Sequence, residues 1–455
     1  MGKTLKYLLT MTPADELEQL PIQCGVRSMK KVIFFLAVAA LLTGCTEPTV
    51  NFRTAEEIHD AITVGWNLGN SLEAYNGDET FGAGNTETEI AWDNPHTEKA
   101  LLERVRKSGF NAIRVPVRWY PHFKMEGEKL VVDPAWMARV QQIVDWCMEE
   151  DFFVILNTHH EKWLESHPFY ADSTGVLDIE RKLWTVIAER FKDYDDRLLF
   201  AGTNEVHIDG EWKTVSDEKR EMQNVFNQTF VDAVRATGGN NAQRNLIVQT
   251  YYCDPVYNLQ GFRVPKDSAK DHLLMEIHLY QPSTYSMVGI EKFWGAEYLE
   301  DILQEPLPDA SNPIIAAQGL TKELMEMYFA GKRANKEETD EMRLEKLYAD
   351  IAASLKPFGL PVILGESGAS RWIDIDAPDT ERNRRIRESR AYYYEYLART
   401  AKRNDFAIFV WDNGYLDAGE GNEHFGLFDR KDGERDDSLT ISGLMKGAEE
   451  TYKKK

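Results

Sequence analysis

The chain has 455 residues, 43% of them hydrophobic and 28% charged, with a formal net charge of −22 from 53 Lys and Arg against 75 Asp and Glu. That is enough apolar material for one large domain or two ordinary ones, and the acidic balance excludes nucleic acid as an expected partner while leaving neutral ligands open. Eleven Trp, 19 Tyr and 21 Phe suit stacking on flat apolar ligand faces as well as plain core packing.

The first element is a targeting segment. "MKKVIFFLAVAALLTGC", Met29 to Cys45, has Lys30 and Lys31 followed by an apolar stretch from Val32 to Leu42, too short to span a bilayer as a stable helix and typical of a signal peptide. Its end, Leu42-Thr43-Gly44-Cys45, resembles the bacterial lipoprotein signal, which implies that Cys45 carries a lipid and becomes the mature N-terminus. Residues 1–28 have no such logic, so Met29 is the expected start. Residues 1–44 are set aside from fold reasoning, 45–57 are expected to be a short tether, and 58–455 a single domain. Cys24 falls in the discarded segment, and Cys147 and Cys253 remain, whose pairing the sequence does not decide and which by themselves make no metal site.

From about residue 60, short β-rich runs alternate with helical periodicity. The runs are "ITVGW" from Ile62, "FNAIRVPV" from Phe110, "FFVILN" from Phe152, "LLFAGT" from Leu198, "NLIVQT" from Asn245, "LLMEIHLY" from Leu273, "PVILGE" from Pro361 and "FAIFVW" from Phe406. Between the second and third, Asp133-Pro134 reads as an N-cap and first-turn proline, and Val140, Ile143, Val144 and Cys147 then form one buried helix face. Met222, Val225 and Phe226 begin another stripe that Gly238 and Gly239 can close. A third follows Leu344, Leu347, Ile351 and Leu355. Near-continuous apolar strands alternating with amphipathic helices mean parallel strands covered on their outer face, and eight of them fit a closed (β/α)8 TIM barrel better than an open sheet. No GxGxxG follows the first strand. The extra length lies in residues 71–96 and in an insertion at 281–340 after strand 6, read as a loop elaboration over the barrel mouth, with a small subdomain as the alternative.

In such a barrel the carboxyl ends of all strands meet on one face. Glu205 leaves strand 4 as Glu366 leaves strand 7, so the two can face each other across the mouth. Retaining glycosidases need such a pair, with carboxyl groups about 5 to 5.5 Å apart. Arg114 interrupts an apolar strand and would need a carboxylate partner once buried. Asn157, His159, His160 and Glu161 end strand 3, His278 and Tyr280 strand 6, and Trp411 strand 8.

This constellation resembles glycoside hydrolase family 5, on "GWNLGN" (Gly65 to Asn70), "GFNAIRVPVRW" (Gly109 to Trp119), "VILNTHHE" (Val154 to Glu161), "GTNEVH" (Gly202 to His207), "IHLY" (Ile277 to Tyr280), "VILGESG" (Val362 to Gly368) and "FVWDNG" (Phe409 to Gly414). The resemblance implies that Glu205 is the acid/base and Glu366 the nucleophile, with Asn204 on the sugar 2-hydroxyl. It implies that Arg114 and Tyr280 hold Glu366 ionised, that His159 and His278 line the site with His278 reaching Glu205, and that Trp411 is the sugar platform. The acid/base is expected in the less ion-paired environment. "GWNLGNSLEA" and "ETEIAWDNPHTE" look most like the branch that cleaves β-1,4-glucans, including xyloglucan and mixed-linkage glucan, with Trp66, Trp92, Trp119 and Trp163 as candidate subsite aromatics, about half of them expected in the core.

The chain departs from the family pattern at Val206, where a proline commonly follows the acid/base, at His207, and in the long strand 6 insertion. The expected protein is thus a monomeric, lipid-anchored enzyme of the bacterial cell envelope, at the outer membrane, acting on a polysaccharide without a cofactor. Three readings remain open beside it. One is a β-mannanase on the same scaffold, one a non-catalytic surface glycan-binding barrel, and one a metal-dependent hydrolase using His159, His160 or Glu161 with His278, although adjacent strand residues point to opposite faces.

Overall fold

All eight apolar runs become parallel barrel strands: β1 Gly65–Asn67, β2 Ala112–Val115, β3 Phe153–Asn157, β4 Leu198–Ala201, β5 Leu246–Gln249, β6 Leu273–His278, β7 Val362–Glu366 and β8 Phe406–Val410. Each pairs in parallel with its neighbours in sequence, and β1 closes the barrel on β8. The computed structural model describes residues 52–449 apart from 78–79, 81–83, 167–172, 209–214, 374–379 and 417–423. The expected signal segment, Cys45 and the first part of the tether lie outside the described residues. Among the described residues no helix is long and apolar enough to cross a membrane.

The main helices around the barrel are α1 Ala55–Ala61, α2 Lys99–Lys107, α3 Pro134–Glu149, α4 Ser173–Arg190, α5 Asp217–Ala236, α6 Asp340–Leu355, α7 Glu381–Arg403 and α8 Ser438–Ala448. α3 starts as its sequence requires: the Asp133 side chain accepts from the backbone N–H groups of Ala135 and Trp136, and Val140, Ile143, Val144 and Cys147 are buried. α5 ends at Thr237, beyond which Gly238 and Gly239 adopt positive φ. The crossover from β5 to β6 is the exception to strand-helix alternation, because its only helical turn is the short 3-10 segment Tyr251–Cys253.

Alternation along each strand sorts the core into two layers. Ile113, Val248, Met275, Ile277 and Leu364 face outward into the large core beneath the helices. Ala112, Phe153, Leu199, Ile247, Leu274, Ile363 and Ala407 face inward at the strands' N-terminal ends, where Ala55, Ile58 and Ile62 from the α1 region join them. α1 therefore plugs the bottom of the barrel, held by a capping box between Thr54 and Glu57 and by the Ala55 N–H donated to Asp271 O at 2.8 Å. This shortens the expected tether: Phe52 is already buried, and residues 52–57 belong to the barrel body.

The insertion has a small core of its own. Its helices Leu299–Gln304, Pro313–Ala317 and Lys322–Ala334 pack through Phe293, Tyr298, Ile302 and Phe329 onto Ile386 of α7, and through Val288, Ile290, Ile315 and Met325 among themselves. Buried Lys332 lies 2.9 Å from Asp340 and also pairs with Glu291. Arg382 and Arg385 of α7 reach Glu305 and Asp301. The segment thus docks on α7 through apolar clusters of its own and belongs to the same compact unit as the barrel. Cys147 and Cys253 are buried and unpaired with each other.

Since α1 closes the barrel floor away from the rim, Ile58→Ala is expected to cost about 2–5 kcal/mol in chemical denaturation, the usual range for truncating a fully buried aliphatic chain, while the folded fraction keeps its rim geometry. A loss under about 1 kcal/mol would show that α1 is not a working part of the core.

Candidate active site

The same alternation that buries Ala112, Ile247 and Leu274 at the floor places Arg114, Gln249 and Glu276 one step higher inside the barrel, and His278 one step higher still. A guanidinium there has lost its water, so it needs anionic and polar partners. Arg114, fully buried, has them: Nε lies 2.8 Å from Glu276 Oε1, one terminal nitrogen donates to Glu366 Oε1 at 2.9 Å and to Asn67 Oδ1 at 3.0 Å, and the other donates to Asn204 Oδ1 at 2.6 Å.

Glu366 reaches this cluster through a break in register. Ile277 pairs with Leu364 but His278 pairs with Glu366, so Gly365 is an extra residue in β7. Strict alternation from inward Ile363 would turn Glu366 outward, and the bulge turns it in. Only glycine fits at 365, where a Cβ would stand 2.0 Å from Glu276 Oε1. Tyr280 donates its hydroxyl to Glu366 Oε2 at 3.0 Å. Glu205 reaches the cluster through its backbone, with φ of 47°, in the left-handed region that non-glycine residues seldom occupy. Its Oε1 lies 2.6 Å from His278 Nδ1, and carboxylate oxygens of Glu205 and Glu366 lie within 4.8 Å of one another.

Burial and the neighbouring charges act differently on the two glutamates. Burial raises the Glu205 pKa, but the hydrogen bond and charge of His278 outweigh it and hold this carboxyl below its usual value. Glu366 is held above its usual value, because burial and the nearby Glu205 charge outweigh the pull of His278, Arg114 and Tyr280. A third acid, Glu276, absent from the sequence-based site, shares the same arginine. It takes a share of the Arg114 charge that was expected to serve Glu366 alone, and although burial raises its own pKa, Arg114 and His278 bring it down to about 2. The Glu205 charge acts on Glu366, so the two acids are electrostatically linked.

The remaining residues close the cleft. His159 lies between Asn157 Nδ2 at 3.1 Å and Asn204 Nδ2 at 3.4 Å, and its ring stacks against Trp411 with centroids 5.9 Å apart and planes at 11°. Burial, with His160 and Arg114 next, keeps it far below the usual histidine pKa, so it is neutral. Trp411, partly exposed, is anchored through its backbone N–H, which donates to Ser367 O at 2.8 Å. Glu161 does not join the histidines: its oxygens accept from the backbone N–H groups of Trp119 and Tyr120 and from Trp163 Nε1, so His159, His160 and Glu161 do not converge on one point. Of the four candidate subsite tryptophans, Trp66, Trp119 and Trp163 are buried and Trp92 alone is partly exposed, beside Tyr75 and His160.

Glu276 is the residue that reading the sequence missed. Its signal was the one that revealed Arg114, a charge inside an apolar strand, here "LLMEIH". Tyr252 was missed too: it sits at φ 61° in the turn after β5, donates its N–H to Val206 O at 3.2 Å and packs its ring 4.2 Å from that of His207.

Residues 74–417 match the family model for cellulase, glycosyl hydrolase family 5. The chain is 30% identical over 388 residues to endoglucanase A of Clostridium longisporum, covering 84% of this chain and 63% of that one, so it spans less than two thirds of that relative's length. It is 31% identical over 407 residues to a xyloglucan-specific endo-β-1,4-glucanase of Bacteroides ovatus, covering 87% of this chain and 70% of the relative. A broad-specificity endoglucanase of Ruminococcus champanellensis, solved with bound cellotriose, superposes with a TM-score of 0.69 at 31% identity, covering 87% of this chain and 99% of that one.

The low pKa of Glu276 has a consequence for stability. A carboxylate held at about 2 in the folded state, against about 4.3 unfolded, stabilises fully above the unfolded value and loses that contribution as pH falls toward the folded one. The stability advantage of the wild type over Glu276→Gln should therefore shrink by about 2 kcal/mol between pH 6 and pH 3, measured by urea titration. An advantage that stays constant with pH would show that the carboxylate is not held ionised.

Proposed function

The chain belongs to the cellulase family, glycosyl hydrolase family 5, and from that premise we propose that it is a retaining, endo-acting hydrolase of β-1,4-linked glucan backbones, working by double displacement. One observation carries the reading: two carboxylates with oxygens within 4.8 Å, each with its own partners, Arg114 and Tyr280 on Glu366 and His278 on Glu205, at the rim of a closed barrel. That spacing suits direct attack, since an inverting enzyme needs about 6.5–9.5 Å to hold a water between its acids.

In this scheme a sugar ring rests on Trp411, whose flat apolar face matches the C–H face of a pyranose. Glu366 attacks the anomeric carbon while Glu205 protonates the departing oxygen, giving a glycosyl-enzyme that water, activated by Glu205, then hydrolyses. Asn204, fixed by Arg114 at 2.6 Å, meets the sugar 2-hydroxyl, a contact that strengthens as the oxocarbenium-like transition state forms. The endoglucanase and xyloglucan-specific activities named for the relatives support glucan over mannan as the substrate class. A non-catalytic glycan-binding barrel would have no need for both glutamates and their partners.

The segment Met29 to Cys45 supports a lipid anchor on Cys45, with the signal removed and the residues up to about 51 as a tether. The mature protein is then a monomer on the cell envelope, at the outer membrane, where polysaccharide fragments are met.

The substrate reading is tested with carboxymethylcellulose, xyloglucan, lichenan and mannan. Internal cleavage of the glucans is expected, and a preference for mannan would overturn it. Glu366→Gln should lose turnover while keeping polysaccharide binding in affinity electrophoresis, because it removes the covalent step alone. Glu205→Ala should lose about 10²–10⁴-fold on polysaccharide and far less on aryl glycosides with good leaving groups, and equal losses on both would refute its acid role. Cys45→Ala should move the protein from the membrane to the soluble fraction, whereas unchanged membrane fractionation would refute the anchor.

A further inference from the structure

The two-carboxylate scheme makes no use of Glu276, a third acid buried beneath the cleft. The His278 ring shows a nitrogen to a carboxylate on either side, with Nδ1 2.6 Å from Glu205 Oε1 and Nε2 3.1 Å from Glu276 Oε1. A neutral imidazole has one N–H and one lone pair, so between two anions one contact would set lone pair against lone pair. Glu276 is poorly placed to supply the missing proton. The Arg114 guanidinium lies against the same Oε1 as an ion pair, with Nε at 2.8 Å, and Gln249 donates to Oε2 at 2.9 Å, so the acid is held as an anion. Its Oε1 therefore accepts Nε2–H, and a proton must lie between Nδ1 and Glu205.

We propose that Glu276 is a positioning residue for the acid/base step: by accepting Nε2–H it fixes the His278 tautomer and makes Nδ1 and Glu205 Oε1 a joint store for the catalytic proton. This rests on the reading of Glu205 as the acid/base. It also accounts for how a carboxyl whose own pKa is lowered by His278 can serve as an acid, because the proton is kept next to it. The proton passes to the departing alcohol oxygen as the glycosidic bond breaks and Glu366 bonds to the anomeric carbon. Glu205 is then a carboxylate and His278 neutral, with Nε2–H still on Glu276. The attacking water returns a proton to the pair as its oxygen displaces Glu366, so the cycle closes with none left over.

Other groups face the ring from each packed element. Arg114 of β2 and His159 after β3 disfavour a charge on it, Tyr252 and Cys253 sit after β5, Tyr280 follows on the same strand, and Glu366 Oε2 of β7 lies 3.7 Å from Nδ1. Burial pushes the imidazole down and the carboxylates Glu366 and Glu205 push it up, leaving it above the usual histidine range, while the Cys253 thiol, itself pushed up to about 11 by burial, is neutral.

In Glu276→Gln the amide oxygen can still accept Nε2–H but carries no charge, so the stored proton is held less tightly. The alkaline limb of kcat/KM on a soluble β-glucan should move at least one pH unit lower, aryl glycosides with good leaving groups should lose less than polysaccharide, and Glu276→Asp should restore much of the wild-type limb. A purely structural role would lower activity evenly across pH. In the wild type, 15N NMR of labelled histidine should find His278 protonated at Nε2 at every pH, with Nδ1 titrating along the alkaline limb. A form with Nδ1–H and bare Nε2, or an unmoved limb in an active Glu276→Gln, would overturn the proposal. Should Glu276→Gln fail to fold, the wild-type NMR decides. A wild type inactive on every β-glucan would instead sink the glycosidase reading, and leaves the NMR result to speak for Glu276 by itself.

Discussion

The site is organised around one positive charge that water does not reach. Arg114 is fully buried, and its guanidinium contacts Glu276, Glu366, Asn67 and Asn204. Leaving a buried charge of this kind without a partner costs about 3–5 kcal/mol. The carboxylates around it are therefore constrained as much by the need to compensate the arginine as by any reaction they perform. Its rigid fork also sets geometry: the same donors that balance its charge fix Glu366 and Asn204 on either side of the cleft.

Strand parity puts these groups in reach of one another. Inward positions at the floor are apolar and sealed by α1, while inward positions one and two steps higher are polar. Two local departures from regular backbone complete the set. The extra residue Gly365 turns Glu366 inward, and the left-handed backbone at Glu205 aims its carboxyl over the barrel toward His278. Both carry local backbone cost that the surrounding structure must compensate, as is common where chemistry demands a direction that regular structure does not supply.

Much of this could be read in the chain. All eight strands, the α3 cap at Asp133-Pro134 and the glutamates at the ends of β4 and β7 have explicit sequence signals, because burial on both faces and capping chemistry leave a pattern in residue type. What could not be read is what depends on partners remote in sequence. Arg114 pointed to a carboxylate partner, but Glu276 lies 162 positions away and its bond to Arg114 exists only once β2 and β6 face each other. Three of the four candidate subsite tryptophans are core residues, since an indole suits a packed layer as well as a sugar. The helix missing between β5 and β6 and the extent of α1 were likewise invisible to periodicity, the first because that crossover is short and irregular, the second because it hides in a stretch of only 7 residues.

The central claim is that Glu366, whose carboxylate oxygens come within 4.8 Å of those of Glu205, attacks the anomeric carbon directly while Glu205 acts on the other side of the bond. Stereochemistry reports this most directly. Proton NMR of the first products released from a cello-oligosaccharide should show the new reducing end appearing in the β configuration before mutarotation brings in the α form. Initial release of the α anomer would require an intervening water, and would contradict the account.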